Sequence, residues 1–176
     1  MIAQSPHGLP VTLSEAQAYL RIETGEEEAL VAGLLRSATM LCEAFTGQWL
    51  IVREARERLS LNGSWRRLAA RPVQAITAVA TLNPANVETA LAAEAYAIDI
   101  DRNGDGWVRL SRQGETPAVV TYSAGMGANA NAVPEPLRQG ILRLAAHMFN
   151  SRDGDGGEPP AAVTALWRPY RRMRLA

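Results

Sequence analysis

The chain has 176 residues, 47% of them apolar, which is enough for a full hydrophobic core in one domain of ordinary size. Its 18 basic and 18 acidic residues cancel, so no global field gathers nucleic acid or an anionic membrane surface. Cys42 stands alone, which excludes an internal disulfide and a cysteine metal cluster.

Every basic residue is arginine and none is lysine, a bias that codon composition explains more simply than selection for phosphate contacts. The stretch "MIAQSPHGLP" has neither a basic start nor an apolar run of the signal-peptide kind. No run of about 18 apolar residues predicts a membrane span. The expectation is a protein of the reducing cytoplasm, with no membrane partner.

In chain order, "VTLSEAQAYLRI" predicts a helix over about 13–22. Thr12 or Ser14 serves as its cap, Glu15 faces the positive end, and Leu13, Ala16 and Leu20 form an apolar stripe. A longer helix is predicted over about 26–46, capped by Thr24, with Glu26, Glu27 and Glu28 in its first turn and Gly47 at its end. Leu30, Leu34, Leu41 and Phe45 make one of its stripes; Val31, Leu35, Ala38 and Cys42 make another. Two apolar faces predict packing on both sides, inside the domain or against another subunit.

From Trp49 to Leu61 the pattern turns strand-like. Further strands are predicted at Ala75–Leu82, Ala95–Ile100, Gly106–Ser111 and Ala118–Ser123, while Asn83–Glu94 reads as either a short helix or a loop. A third helix is predicted over about 135–151, with Leu137, Ile141, Leu144 and Met148 on its core face. "SRDGDGGEPP" then breaks the pattern as a linker. The fold class expected is α+β. A helical bundle comes from the N- and C-terminal parts of the chain, with a small antiparallel sheet inserted between them. One domain covers 1–153, and a linker and extended C-terminal arm cover 154–176.

"DIDRNGDGW" imitates the start of a calcium-binding loop. Counted from Asp101, however, the twelfth position, which needs a bidentate carboxylate, is Arg112. Its flanks alternate with period two, so Asn-Gly and Asp-Gly here predict a hairpin turn. "GMGANA" at 125–130 fits a dinucleotide fingerprint in letters, but the following helix is delayed past Pro134, so a loop is expected. His7 and His147 have no neighbouring ligand at metal spacing, and no serine sits in a nucleophile elbow. No catalytic residue, metal or cofactor is expected.

The closing stretch "AAVTALWRPYRRMRLA" holds four arginines and no acid, interleaved with Leu166, Trp167, Tyr170, Met173 and Leu175. Ordering about ten residues costs roughly 10–20 kcal/mol, while each buried large side chain returns about 1.5–3 kcal/mol. Such an arm is expected to order by docking, and Trp, Tyr and Arg dominate docking surfaces. Three alternatives stand: a protein groove, nucleic acid gripped through phosphates and stacking, or the arm folding back on its own core.

Four stretches in this order resemble the head–tail connector (adaptor) family of long-tailed bacteriophages and phage-derived gene transfer agents. They are "VTLSEAQAYLRI", "ALVAGLLRSATMLCEAFTGQWLI", "VVTYSAGMG" with "VPEPLRQGILRLAAHMFNSRD", and "ALWRPYRRMRL". The resemblance implies a structural, non-enzymatic protein of the particle neck, assembled in the bacterial cytoplasm. It implies a ring of about twelve copies between the portal and the next tail-side connector, with DNA passing through the lumen unbound. It carries portal binding to Trp167, Arg168, Pro169, Tyr170, Arg171, Arg172 and Arg174. Val31, Leu35 and Ala38 are the stripe expected to meet a neighbouring copy.

Overall fold

A computed structural model describes residues 2–4, 8–22, 27–151 and 160–172. The chain builds two units. One comprises residues 1–7 and 52–126 and carries the strands; the other comprises residues 8–51 and 127–176 and carries the α-helices. The class is α+β.

The strands are β1 (Ile2–Gln4), β2 (Arg53–Leu61), β3 (Arg66–Arg67), β4 (Val73–Leu82), β5 (Glu88–Ala90), β6 (Tyr96–Ile100), β7 (Gly106–Leu110) and β8 (Thr116–Ala124). They form a five-stranded antiparallel sheet in the order β1-β2-β8-β4-β5 and a three-stranded one in the order β3-β7-β6. Central β8 is the most buried, with Ala118, Val119, Val120, Tyr122 and Ala124 in the core. On β2 the inward positions Arg53, Ala55 and Glu57 alternate with exposed Glu54, Arg56 and Arg58, the period-two signature of a half-buried strand.

Buried Glu57 is held by hydrogen bonds. Its Oε2 accepts from the Ala69 N–H (2.9 Å) and the Tyr122 hydroxyl (2.7 Å), and that hydroxyl accepts from the Ala70 N–H (3.1 Å). Burial pushes the Tyr122 phenol up, so it stays a donor. These bonds fasten the segment between β3 and β4 onto the large sheet, satisfying amides that would otherwise be buried without partners.

The "DIDRNGDGW" stretch is the β6–β7 hairpin. Asp101 Oδ1 accepts from the Asn103 N–H (2.8 Å) and the Asp105 N–H (3.0 Å), and Gly104 takes φ +76°. Asp105 in turn pairs with Arg71 at 3.3 Å.

The helices are α1 (Leu13–Leu20), α2 (Glu28–Thr46), α3 (Glu135–Asn150) and α4 (Ala161–Trp167). Thr12 and Glu15 form a capping box: the hydroxyl accepts from the Glu15 N–H (3.2 Å), and the Glu15 carboxylate accepts from the Thr12 N–H (2.8 Å). Arg138 of α3 ties this end down. It donates to the Pro10 carbonyl (3.0 Å), to Glu135 (2.8 Å) and to Glu15. The Thr12 N–H, above all, holds the Glu15 carboxyl below its ordinary value of 4.5. The Thr12 hydroxyl and Arg138 add to this, and partial burial opposes it.

α2 packs on α3 and α1 through Val31, Leu35, Ala38 and Cys42, facing a core that includes Leu137, Ile141, Leu144 and Ala145. Thr39 and Thr46 lie on this buried side and donate back to the carbonyls of Leu35 (2.7 Å) and Cys42 (2.8 Å). Gly47 closes the helix at φ 68°.

Several boundaries differ from the sequence reading. The strand predicted from Trp49 begins only at Arg53, because Leu50 and Ile51 are held in the helical unit, where Gly127 donates to the Leu50 carbonyl (3.1 Å). The 83–94 stretch resolves into β5 and a short 3-10 turn. β1 and β3, too short to show a period, were missed. The predicted cap Thr24 lies outside the described residues.

Candidate docking site

The C-terminal stretch is the first place to test. It is not an extended arm through Arg172: it forms α4, a 3-10 turn over Arg168–Tyr170, and a short return along the end of α2. Trp167 is 3% exposed. Its indole N–H donates to the Leu137 carbonyl at 3.3 Å, and its ring lies 5.9 Å from Phe45. The space for it is made by Gly140, where a β-carbon would collide with the indole ring. Trp167 is therefore a core residue of the helical unit and cannot itself touch a partner. Burying a side chain of this size offsets much of the ordering cost that made a free arm seem necessary.

Beyond Trp167 the chain is pinned by its backbone. The Gln48 side chain donates to the Tyr170 carbonyl (2.7 Å), and the Arg172 N–H donates to the Thr46 carbonyl (2.9 Å). The Arg171 guanidinium lies over the Phe45 ring, 5.5 Å from its centre. Because the anchoring uses backbone groups and one indole, the charged heads stay outside. Arg168, Pro169 and Arg171 are exposed, Tyr170 and Arg172 half-buried, and Arg174 lies outside the described residues.

The second predicted surface also needs correction. Val31, Leu35 and Ala38 are buried inside the subunit by α1 and α3, so they cannot meet another copy. Of the other stripe, Leu30 and Leu41 are open, whereas Phe45 packs against Trp167. Leu30 is 43% exposed, Leu41 47% and Met40 69%, with Ser37 and Ala44 exposed between them. Positions 30, 37, 41 and 44 recur at helical spacing and share one side of α2. An 18-residue window of this helix has mean hydropathy 1.3, yet only 33% of it is buried. Sequence reasoning found both stripes but gave the contact between copies to the one that the fold buries.

No family model matches the chain, and no curated protein matches it. Solved structures do. A chain from the neck of an empty gene transfer agent particle, computed with C6 symmetry, aligns with TM-score 0.82 at 26% identity, over 100% of this chain and 97% of that one. A chain from the virion of a native gene transfer agent particle aligns at 0.79, and one from the neck of a native particle computed with C12 symmetry at 0.78. Both have the same identity and coverage. The likeness covers the whole chain, both units included. This full-length likeness to chains of gene transfer agent necks and virions supports the resemblance to the head–tail connector (adaptor) family of long-tailed bacteriophages and phage-derived gene transfer agents.

Proposed function

We propose that the protein is a structural, non-catalytic subunit of a particle neck: copies form a ring, and the C-terminal stretch docks each copy on the portal.

 The role is mechanical and requires no chemistry of bond making or breaking. The observation that carries this reading is the full-length likeness to gene transfer agent neck chains. DNA passes through such a ring without being held, in keeping with a chain whose charges cancel.

The portal contact falls to the groups the anchored turn leaves in solvent: Arg168, Pro169, Arg171 and the outer parts of Tyr170 and Arg172, with Arg174 beyond them. Trp167 serves by fixing where that turn sits. Twelve modest contacts on one ring act collectively, since after the first each of the others binds at high effective concentration. The contact between copies falls to the open stripe of α2, Leu30, Met40 and Leu41, in place of the buried one.

The test follows from the burial pattern. Truncation before Trp167 would remove a core residue and unfold the helical unit, so the variant must spare it. Arg168→Glu with Arg171→Glu, combined with removal of residues 173–176, is expected to melt like the parent chain but to lose co-sedimentation with purified portal rings. Undiminished portal binding by that variant overturns the docking assignment. Binding to duplex DNA that falls steeply with salt and is lost in the same variant would favour a nucleic-acid grip instead.

A further inference from the structure

The outer face of the three-stranded sheet carries a set of side chains that none of these contacts uses. Residues paired directly across an antiparallel sheet share a face. Val108 and Leu110 of β7 are buried, so Trp107 and Arg109 lie on the other side. The register sets Arg67 of β3 and Asp99 of β6 beside Trp107, and Ala97 beside Arg109. Trp65, two residues before Arg67, is 41% exposed, and the Arg109 guanidinium stacks 4.7 Å from the centre of its ring. Arg67 and Arg109 are both exposed, and neither is in an ion pair among the described residues.

We propose that this face is a docking surface for an extended polypeptide segment that carries carboxylates at two alternate positions. Arg67 and Arg109 are diagonal neighbours across β3 and β7, about 7–8 Å apart along the sheet. Side chains at i and i+2 of an extended segment project on one side about 6.5–7 Å apart. The two spacings match, so each carboxylate meets one guanidinium in a charge-assisted hydrogen bond. Trp65 and Trp107 flank the cations and cover the segment's apolar stems. Stacking on Trp65 holds Arg109 in place beforehand, which lowers the ordering cost on binding. A nucleic-acid strand fits less well, because one side of the Trp65 ring is already covered by Arg109 and closed to a stacking base.

The experiment titrates the full chain with fluorescently labelled peptides of about ten residues, read by anisotropy. One peptide has Glu at alternate positions, its twins have Gln or Lys there, and an oligothymidine of similar length is the nucleic-acid arm. The Glu peptide is expected to bind, with the Gln twin at least about tenfold weaker. Arg67→Glu with Arg109→Glu is expected to lose the Glu peptide and gain the Lys twin, while Trp65→Ala weakens the Glu peptide by about tenfold. Unchanged circular dichroism and melting of these surface variants show that the fold is intact. Equal binding of the Gln twin, indifference to the charge reversal, preference for oligothymidine, or no binding of the Glu peptide overturns the proposal. All of these outcomes leave the portal and ring contacts untouched, because those use residues of the helical unit.

Discussion

Trp167 shows what one residue can conceal. In the sequence it stands among arginines after a linker, the setting of a docking anchor; in the fold it fills a notch in α3. The signal that would have exposed it was Gly140. A glycine inside a well-patterned helix costs about 1 kcal/mol against alanine, so it needs a packing reason. Trp167→Ala is expected to destabilise the chain by about 3–5 kcal/mol in urea unfolding. Gly140→Ala is expected to cost about 1–3 kcal/mol by crowding the indole. Because both act on one contact, the double variant should lose less than the sum, and strict additivity in the same unfolding series would show that the two sites are independent. Cys42 was the easier case: small, on an apolar stripe, and buried, where desolvation pushes its thiol up.

At the scale of elements, legibility followed length and period. The hairpin of β6 and β7, strands β4 and β8, and helices α1, α2 and α3 all announced themselves through alternation, helical spacing or caps. β1, β3 and α4 span three, two and seven residues, and so few positions cannot display a face. Their pairing is dictated by what they meet, not by their own letters. The cap of α1 gives a prediction with a definite sign. The folded Glu15 carboxyl lies below its ordinary 4.5, so its stabilisation is complete above that pH and is lost as pH falls through the lower folded value. Glu15→Gln is expected to flatten the fall in melting temperature on acidification below about pH 4.5. An unchanged acid limb in a calorimetric pH series would assign that fall to other carboxylates.

At the scale of the whole molecule, the apolar surface left open is set by what the interior has already taken. α1 and α3 cover one side of α2 and leave Leu30, Met40 and Leu41 outside. Leu30→Glu with Leu41→Glu is expected to keep the parent's melting behaviour, since both side chains are open, and, on the proposed contact between copies, to lose self-assembly under conditions in which the parent chain assembles. Rings of normal size in electron micrographs of that variant would move the contact between copies to another face. The sequence displayed both stripes but could not rank them, because burial depends on where α1 and α3 land.

The crowded employment of α2 has a genetic corollary. Its inner side is core, its outer side is open, and its last turn receives the returning chain at Thr46 and Phe45. One deleted residue would rotate everything downstream by about 100°, turning Met40 toward the interior and Cys42 toward water. Point changes can accumulate in this helix, whereas single-codon insertions and deletions should be absent from functional variants of it.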